Sequence, residues 1–139
     1  MDGQPVSTVM GSLPQRDMGS FRIHTLPNYW LHLSSDHGVS SRLTPAGPGH
    51  TLARVDWIVD RDAEEGRDYT LDKLLPLWSR TSDQDWQLCE RNQQGVLSAV
   101  YQPGRLSQRK EAGLDRFIQW YIGCMKKGVE REKHDAATK

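Results

Sequence analysis

Cysteine is scarce, an excess of either charge is missing and no long apolar run occurs in this chain of 139 residues; each shortage removes a class of function. Only Cys89 and Cys124 are present, and neither sits in a CxxC or CxH unit. A disulfide framework, a structural zinc site and a cysteine-held iron–sulfur cluster therefore lack their ligands here. Two free thiols in a reducing compartment are expected. Lys plus Arg number 18 and Asp plus Glu number 18, so the formal net charge is zero. With no basic block, neither nucleic acid nor an anionic membrane surface is an expected partner. No window approaches the run of about 18 apolar residues that reads as a membrane span. The stretch MDGQPVSTVMGSLPQRDMGS lacks a charged region followed by an apolar one, so it does not read as a secretory signal. The expected address is the cytoplasm. No GxSxG, P-loop or GxGxxG motif occurs, which leaves elbow hydrolysis and nucleotide cradles without support.

Apolar content is low as well, at 36% with a mean hydropathy of −0.71. A comfortably stable domain of this size buries about 68–70% of its unfolded surface. The core should be thin, either because a polar tail dilutes the average or because the chain is part of something larger.

What is present reads as α+β. Residues 1–20 have the glycine and proline content of a loop-like lead-in. Phe21, Ile23, Tyr29, Leu31 and Leu33 alternate on either side of Leu26-Pro27-Asn28, which predicts two strands around a turn. Val39 to Leu43 predicts another short strand before the turn TPAGPG. From Thr51 to Val59, Thr51, Ala53, Val55, Trp57 and Val59 line one apolar face, so this strand is expected to pack one side on a core. After the charged connector DRDAEEGR the period becomes helical, with Thr70 as cap and Pro76 as a kink or stop. A second helix is expected from Ser82 or Asp83, closed by a left-handed Gly95, with Val96 to Tyr101 extended. The last helix carries Leu114, Phe117, Ile118, Tyr121, Ile122 and Met125 at i, i+3, i+4, i+7, i+8 and i+11, with Ser107 as a candidate cap. That stripe should bury against the sheet, and residues 126–139 should form a disordered polar tail.

Chemistry-bearing residues are few. His32 and His37 read either as a metal pair or as strand and loop histidines satisfied by backbone; the other three histidines are scattered. In TSDQDWQLCERNQQGV, Asp85, Leu88, Cys89 and Asn92 share one helical face. A carboxylate there is a solvated acid, or it needs a counter-charge, a proton or a metal. Trp30, Trp57, Trp78, Trp86 and Trp120 read as packing residues, or as members of a cage for a quaternary ammonium group.

The ordered set Asp36-His37, Leu43 to Pro48 (LTPAGP), Trp57 to Val59, AEEGRDY, QDWQLCERNQQGV, YQPGRLS and FIQWY resembles the C-terminal catalytic domain of Rieske-type ring-hydroxylating oxygenase large subunits. The likeness is nearest to the branch that contains glycine betaine monooxygenase and stachydrine demethylase, and it covers about residues 1–125. It implies a partial helix-grip fold, an antiparallel sheet on a long C-terminal helix, with residues 21–125 as the C-terminal part of the catalytic domain. It also implies a mononuclear non-haem Fe(II) held by two histidines and one carboxylate. The carboxylate position matches Asp85. The family's two histidine ligands and its 2Fe-2S cluster belong to a region with no match in this chain. By resemblance the chain is a C-terminal fragment of an oxidoreductase that hydroxylates or oxidatively demethylates an aromatic or quaternary-ammonium small molecule. Its implied partners are an N-terminal Rieske-bearing half or other α subunits, and a reductase. No oxygenase activity is expected of the chain alone. The alternative is a stand-alone helix-grip module that binds a small ligand without redox chemistry.

Overall fold

The computed structural model describes residues 3–15 and 17–138. In chain order it contains β1 (Phe21–Thr25), β2 (Tyr29–Leu33), β3 (Gly38–Gly47), β4 (His50–Ile58), α1 (Leu71–Leu74), α2 (Pro76–Val96) and α3 (Ala112–Ala137). The class is α+β, as the sequence predicts. Two compact units divide the chain, Met1–Tyr101 and Gln102–Lys139.

The first unit is built on an antiparallel meander in the order β1-β2-β3-β4. The LPN turn sets Ile23 opposite Leu31, and the turn between β2 and β3 is closed by the Ser34 N–H donating to the His37 carbonyl at 2.8 Å. Strand β3 runs past the expected Leu43 to Gly47, with an irregularity between Pro45 and Gly47. Its pairing with β2 ends where the Leu43 N–H donates to the Asn28 carbonyl and the Asn28 side-chain amide donates to the Leu43 carbonyl. Backbone groups alternate sides along a strand, so Pro45 turns its missing donor toward the edge that β2 has left free, where no ladder bond is lost. Gly38 pairs with Leu33 on one side and Ile58 on the other, and a Cβ there would meet Leu33 Cδ2 at 2.6 Å. Only glycine lets the Leu33 side chain lean across β3.

The core is as thin as the composition implies. Val39 and Leu74 are the buried hydrophobic residues among those described, at 3% and 4% exposure, accompanied by buried Ser7, Ser35, Ser40 and Ser41. Burial gathers at the Gly38 end of β3, while β1 and the first half of β4 lie open. The apolar face expected to pack along all of β4 is half-buried at Val55 and Trp57 and exposed at Thr51 and Ala53. Strand β4 is the last of the sheet, so among the described residues its near half has no second neighbouring strand.

Pro76 stops α1 and then starts α2 from its first position, where a missing N–H costs nothing. Thr70 occupies the cap position of α1, although its hydroxyl makes no cap bond and is buried without a partner. The helix expected from Ser82 or Asp83 thus begins at Pro76 and absorbs both as interior residues. Gly95 stays right-handed inside α2, which ends at Val96, and residues 97–100 form a turn instead of an extended run. The first turns of α2 are partly covered up to Ser82, and every residue from Asp83 to Val96 is exposed. That bare stretch is about 21 Å long at 1.5 Å per residue.

In the second unit, Ser107 caps a single turn ahead of α3: its hydroxyl accepts from the Lys110 N–H at 3.3 Å, and its own N–H donates to Glu111 Oε2 at 2.5 Å. The helix starts four residues later than that cap suggests. Its stripe is present, with the Phe117 ring stacked on Tyr121 at 6.4 Å and tilted against Trp120 at 6.0 Å. Within its own unit no residue of the helix is buried. The helix also continues to Ala137, through the segment expected to be a disordered tail. That segment lacks an apolar period yet is rich in Glu, Lys, Arg and Ala, the residues that lose least on entering a helix.

Candidate functional site

Asp85 stands on the bare stretch of α2, exposed, with no hydrogen bond or ion pair to any described residue. Leu88, Cys89 and Asn92, which share its face, are exposed as well, Leu88 at 67%. The helix therefore presents a carboxylate beside an apolar side chain and a thiol, all of them exposed. Among the described residues no three His, Cys, Asp or Glu side chains come together in a group able to hold a metal. One carboxylate does not make a facial triad, so these residues alone do not fit an iron site.

The two histidines weighed as a metal pair are engaged otherwise. His32 on β2 meets the Trp78 ring edge-on at 4.7 Å, which ties α2 to the sheet. Its pKa lies below the ordinary value because burial disfavours the imidazolium, and Arg22 and His37 add repulsion. His37 Nδ1 lies 2.9 Å from Asp36 Oδ1. The other Asp36 oxygen accepts the Val6 N–H at 2.7 Å. Burial pushes the Asp36 carboxyl upward, but the Val6 and His37 bonds outweigh it and hold the group below its usual range. Ser35 adds two further ties, accepting the Met10 N–H on its carbonyl at 2.8 Å and the Met18 N–H on its hydroxyl at 3.2 Å.

A third anchor lies on the connector after β4. Asp60 accepts the Gly11 N–H at 2.6 Å and the Asp62 N–H at 2.9 Å, and these bonds lower its pKa. The loop closes through a left-handed Gly66, φ +87°, whose N–H donates to the Tyr69 carbonyl at 2.8 Å. Asp68 accepts from Arg67 at 2.7 Å and from the Glu64 N–H at 2.9 Å. Between this loop and Thr8, Val9, Gly11 and Ser12 lies a concavity of about 650 Å³, lined by Asp60, Asp62, Asp68, Arg61 and Arg67. Its carboxylates already accept hydrogen bonds, Asp60 from backbone N–H groups and Asp62 and Asp68 from arginines.

The lead-in segment is thus fastened at the β2–β3 turn and at Asp60, a role that sequence reasoning missed for both aspartates. Their signal was an acidic residue at the turn leaving each strand, where a short carboxylate reaches free backbone N–H groups. The ring contacts of the tryptophans are with other residues: Trp30 with His24 and Trp78 with His32 in the first unit, and Trp120 with Phe117 in the second. No described helix is long and apolar enough to cross a membrane.

Comparison with known proteins gives these features a lineage. The chain is 47% identical over 133 residues to the glycine betaine monooxygenase oxygenase subunit of Chromohalobacter salexigens, covering 95% of this chain and 30% of that protein. It is 41% identical to the protein of the same name from Pseudomonas aeruginosa strain UCBPP-PA14, with 31% of that protein covered. The chain spans about a third of the length of these relatives. Residues 2–127 match the family described as ring hydroxylating alpha subunit (catalytic domain). By that match the chain belongs to the ring-hydroxylating oxygenase alpha-subunit family and carries part of its catalytic domain.

Proposed function

We propose that this chain supplies the C-terminal part of the catalytic domain of a Rieske-type oxygenase, with Asp85 as the single carboxylate ligand that the segment gives to a non-haem Fe(II). The reaction is O2-dependent hydroxylation or oxidative demethylation of a quaternary-ammonium small molecule, with electrons from a reductase by way of a 2Fe-2S cluster on the Rieske-bearing part. One observation carries this reading: the carboxylate on the family-matching helix is bare, beside apolar Leu88, on a helix that leaves its own sheet. A buried carboxylate is tolerated where a cation compensates its charge, and this face gains both burial and a cation only when other parts of the catalytic domain cover it.

Because the described residues offer no three-ligand group, the isolated chain binds Fe(II) weakly and consumes no O2. The test mixes the pure chain with the remaining two-thirds of the Chromohalobacter protein, a reductase system, Fe(II) and glycine betaine. Substrate-dependent O2 uptake is expected only in the mixture and is lost with Asp85→Asn. Uptake by the chain alone, or full uptake by the Asp85→Asn mixture, refutes the reading. A ligand-binding module without redox chemistry has less support, since the concavity of the first unit is walled by three carboxylates and two guanidinium groups.

A further inference from the structure

Asp85 lies on a helix whose hold on the sheet runs through a pair of rings. Among the described residues no hydrogen bond or ion pair joins α2 to a strand; the side-chain bond of this helix, from the Thr81 hydroxyl to the Leu77 carbonyl, stays within it. What reaches across is Trp78, whose ring meets that of His32 at 4.7 Å and 62°. The Trp78 indole N–H is buried without a partner. No hydrogen bond therefore turns that indole, and its orientation follows from the ring it packs against. His32 in turn has a firm seat. It pairs with Arg22 on β1 and Val39 on β3, and Val39 pairs with Trp57 on β4, so these four residues form one row across one face of the sheet. Val39, next to His32 in that row, is 3% exposed. Helix α2 thus meets the sheet at its buried end, away from open β1 and the open half of β4.

Helix spacing connects this contact to Asp85. Trp78 and Asp85 are seven residues apart, two turns less about 20°, so they share a face of α2. At 1.5 Å per residue the carboxylate stands about 10 Å further along the axis. Within this unit the helix is partly covered around Trp78 and exposed from Asp83 onward. The angle at which α2 presents Asp85 is therefore decided at Trp78. A tilt of about 10° there moves the carboxylate by roughly 2 Å. Misplacing a reacting group by about 1 Å is enough to slow a reaction about a hundredfold.

We propose that His32 and Trp78 are positioning residues, whose ring contact sets the angle of α2 and so the place of the Asp85 carboxylate. The proposal rests on the reading of Asp85 as the ligand and adds what aims it. Its first test uses this chain alone. Spin labels go on Cys89, one turn beyond Asp85 on the same face, and on Leu52→Cys, an exposed position on the face of the sheet opposite Trp57, with Cys124→Ser to leave two thiols. One narrow distance is expected. His32→Ala and Trp78→Ala should broaden it and shift it by roughly 2 Å or more. His32→Phe and Trp78→Phe keep a ring on each side and should restore it. Should Trp78→Ala fail to unfold cooperatively in urea, His32→Ala, at a half-buried strand position, decides the matter.

The second test uses the mixture with the remaining two-thirds of the Chromohalobacter protein. There His32→Ala is expected to lower kcat about tenfold or more while KM for the quaternary-ammonium substrate stays the same, and His32→Phe to recover the rate. A distance indifferent to His32→Ala, ring variants that fail to restore it, or an unchanged kcat in His32→Ala where Asp85→Asn abolishes uptake overturns the positioning role and leaves the ligand reading standing. Full uptake with Asp85→Asn overturns the ligand reading, and this proposal with it.

Discussion

The two-residue apolar core makes Leu74→Ala the most informative perturbation of the first unit. Leu74 is 4% exposed, so nearly the whole transfer free energy of its side chain, about 1.5–3 kcal/mol, is at stake. Truncation to alanine also leaves a void, and the sum for buried leucines runs at about 2–5 kcal/mol. With Val39 as the other buried apolar side chain among the described residues, the core holds little that can collapse into that space. A domain at the low end of the usual range holds only about 5 kcal/mol in total. Urea unfolding followed by tryptophan fluorescence reads the loss, because Trp57 and Trp78 both have buried indole N–H groups in this unit. With a slope of about 1–3 kcal/mol per molar urea, the midpoint should fall by roughly 1–2 M or the cooperative transition should vanish. Leu52→Ala is the matched control, since at 65% exposure it should stay within about 0.5 kcal/mol of the parent. Equal shifts for the two variants would show that the buried end of β3 is not what holds the unit together.

Three further outcomes follow from the anchors and the bare helix. Asp36→Ala removes the acceptor of the Val6 N–H and the His37 partner, costing about 1–3 kcal/mol; amide exchange at Val6 and protease cleavage within residues 3–15 should both accelerate. His32 has a lowered pKa in the folded chain, so the unfolded chain takes up the proton first. Its contribution is complete above about pH 6.5 and is lost as the pH falls, and in His32→Gln the unfolding midpoint should vary less between pH 7 and 5. Asp85→Asn, by contrast, should leave the midpoint of the isolated chain within about 0.5 kcal/mol, because that carboxylate is exposed and has no hydrogen bond or ion pair with a described residue.

Local patterns were legible wherever neighbouring residues decide them. Alternation around Leu26-Pro27-Asn28 placed β1 and β2, and the 3.6-residue period placed α3. The failures share a cause, which is that a residue type was weighed without its surroundings. Pro45 and Gly47 read as a turn because nothing in the sequence shows that β2 stops short and leaves a free edge for the proline. Ser82 and Asp83 read as caps because their preference for helix starts outweighed Pro76, which had already opened the helix. Gly95 read as a stop because glycine often is one, yet nothing forces a left-handed turn there. For the candidate site, the motif order pointed to Asp85 and to the family, while the anchoring of the lead-in by Asp36 and Asp60 depends on contacts 30 and 49 residues apart in the chain. An acidic residue at each strand exit was visible, but no local pattern says which distant N–H it meets.

That long reach has a consequence for the order in which the chain takes shape. The meander needs only neighbouring strands, and contacts so close in sequence form early. The lead-in is synthesised before any of the groups that hold it, and its Gly11 tie must wait for Asp60, with all four strands between them. Until then the segment is held by its ties to Ser35 and Asp36 at the β2–β3 turn alone. The Gly11 bond to Asp60 is thus the late step that marks the completed fold.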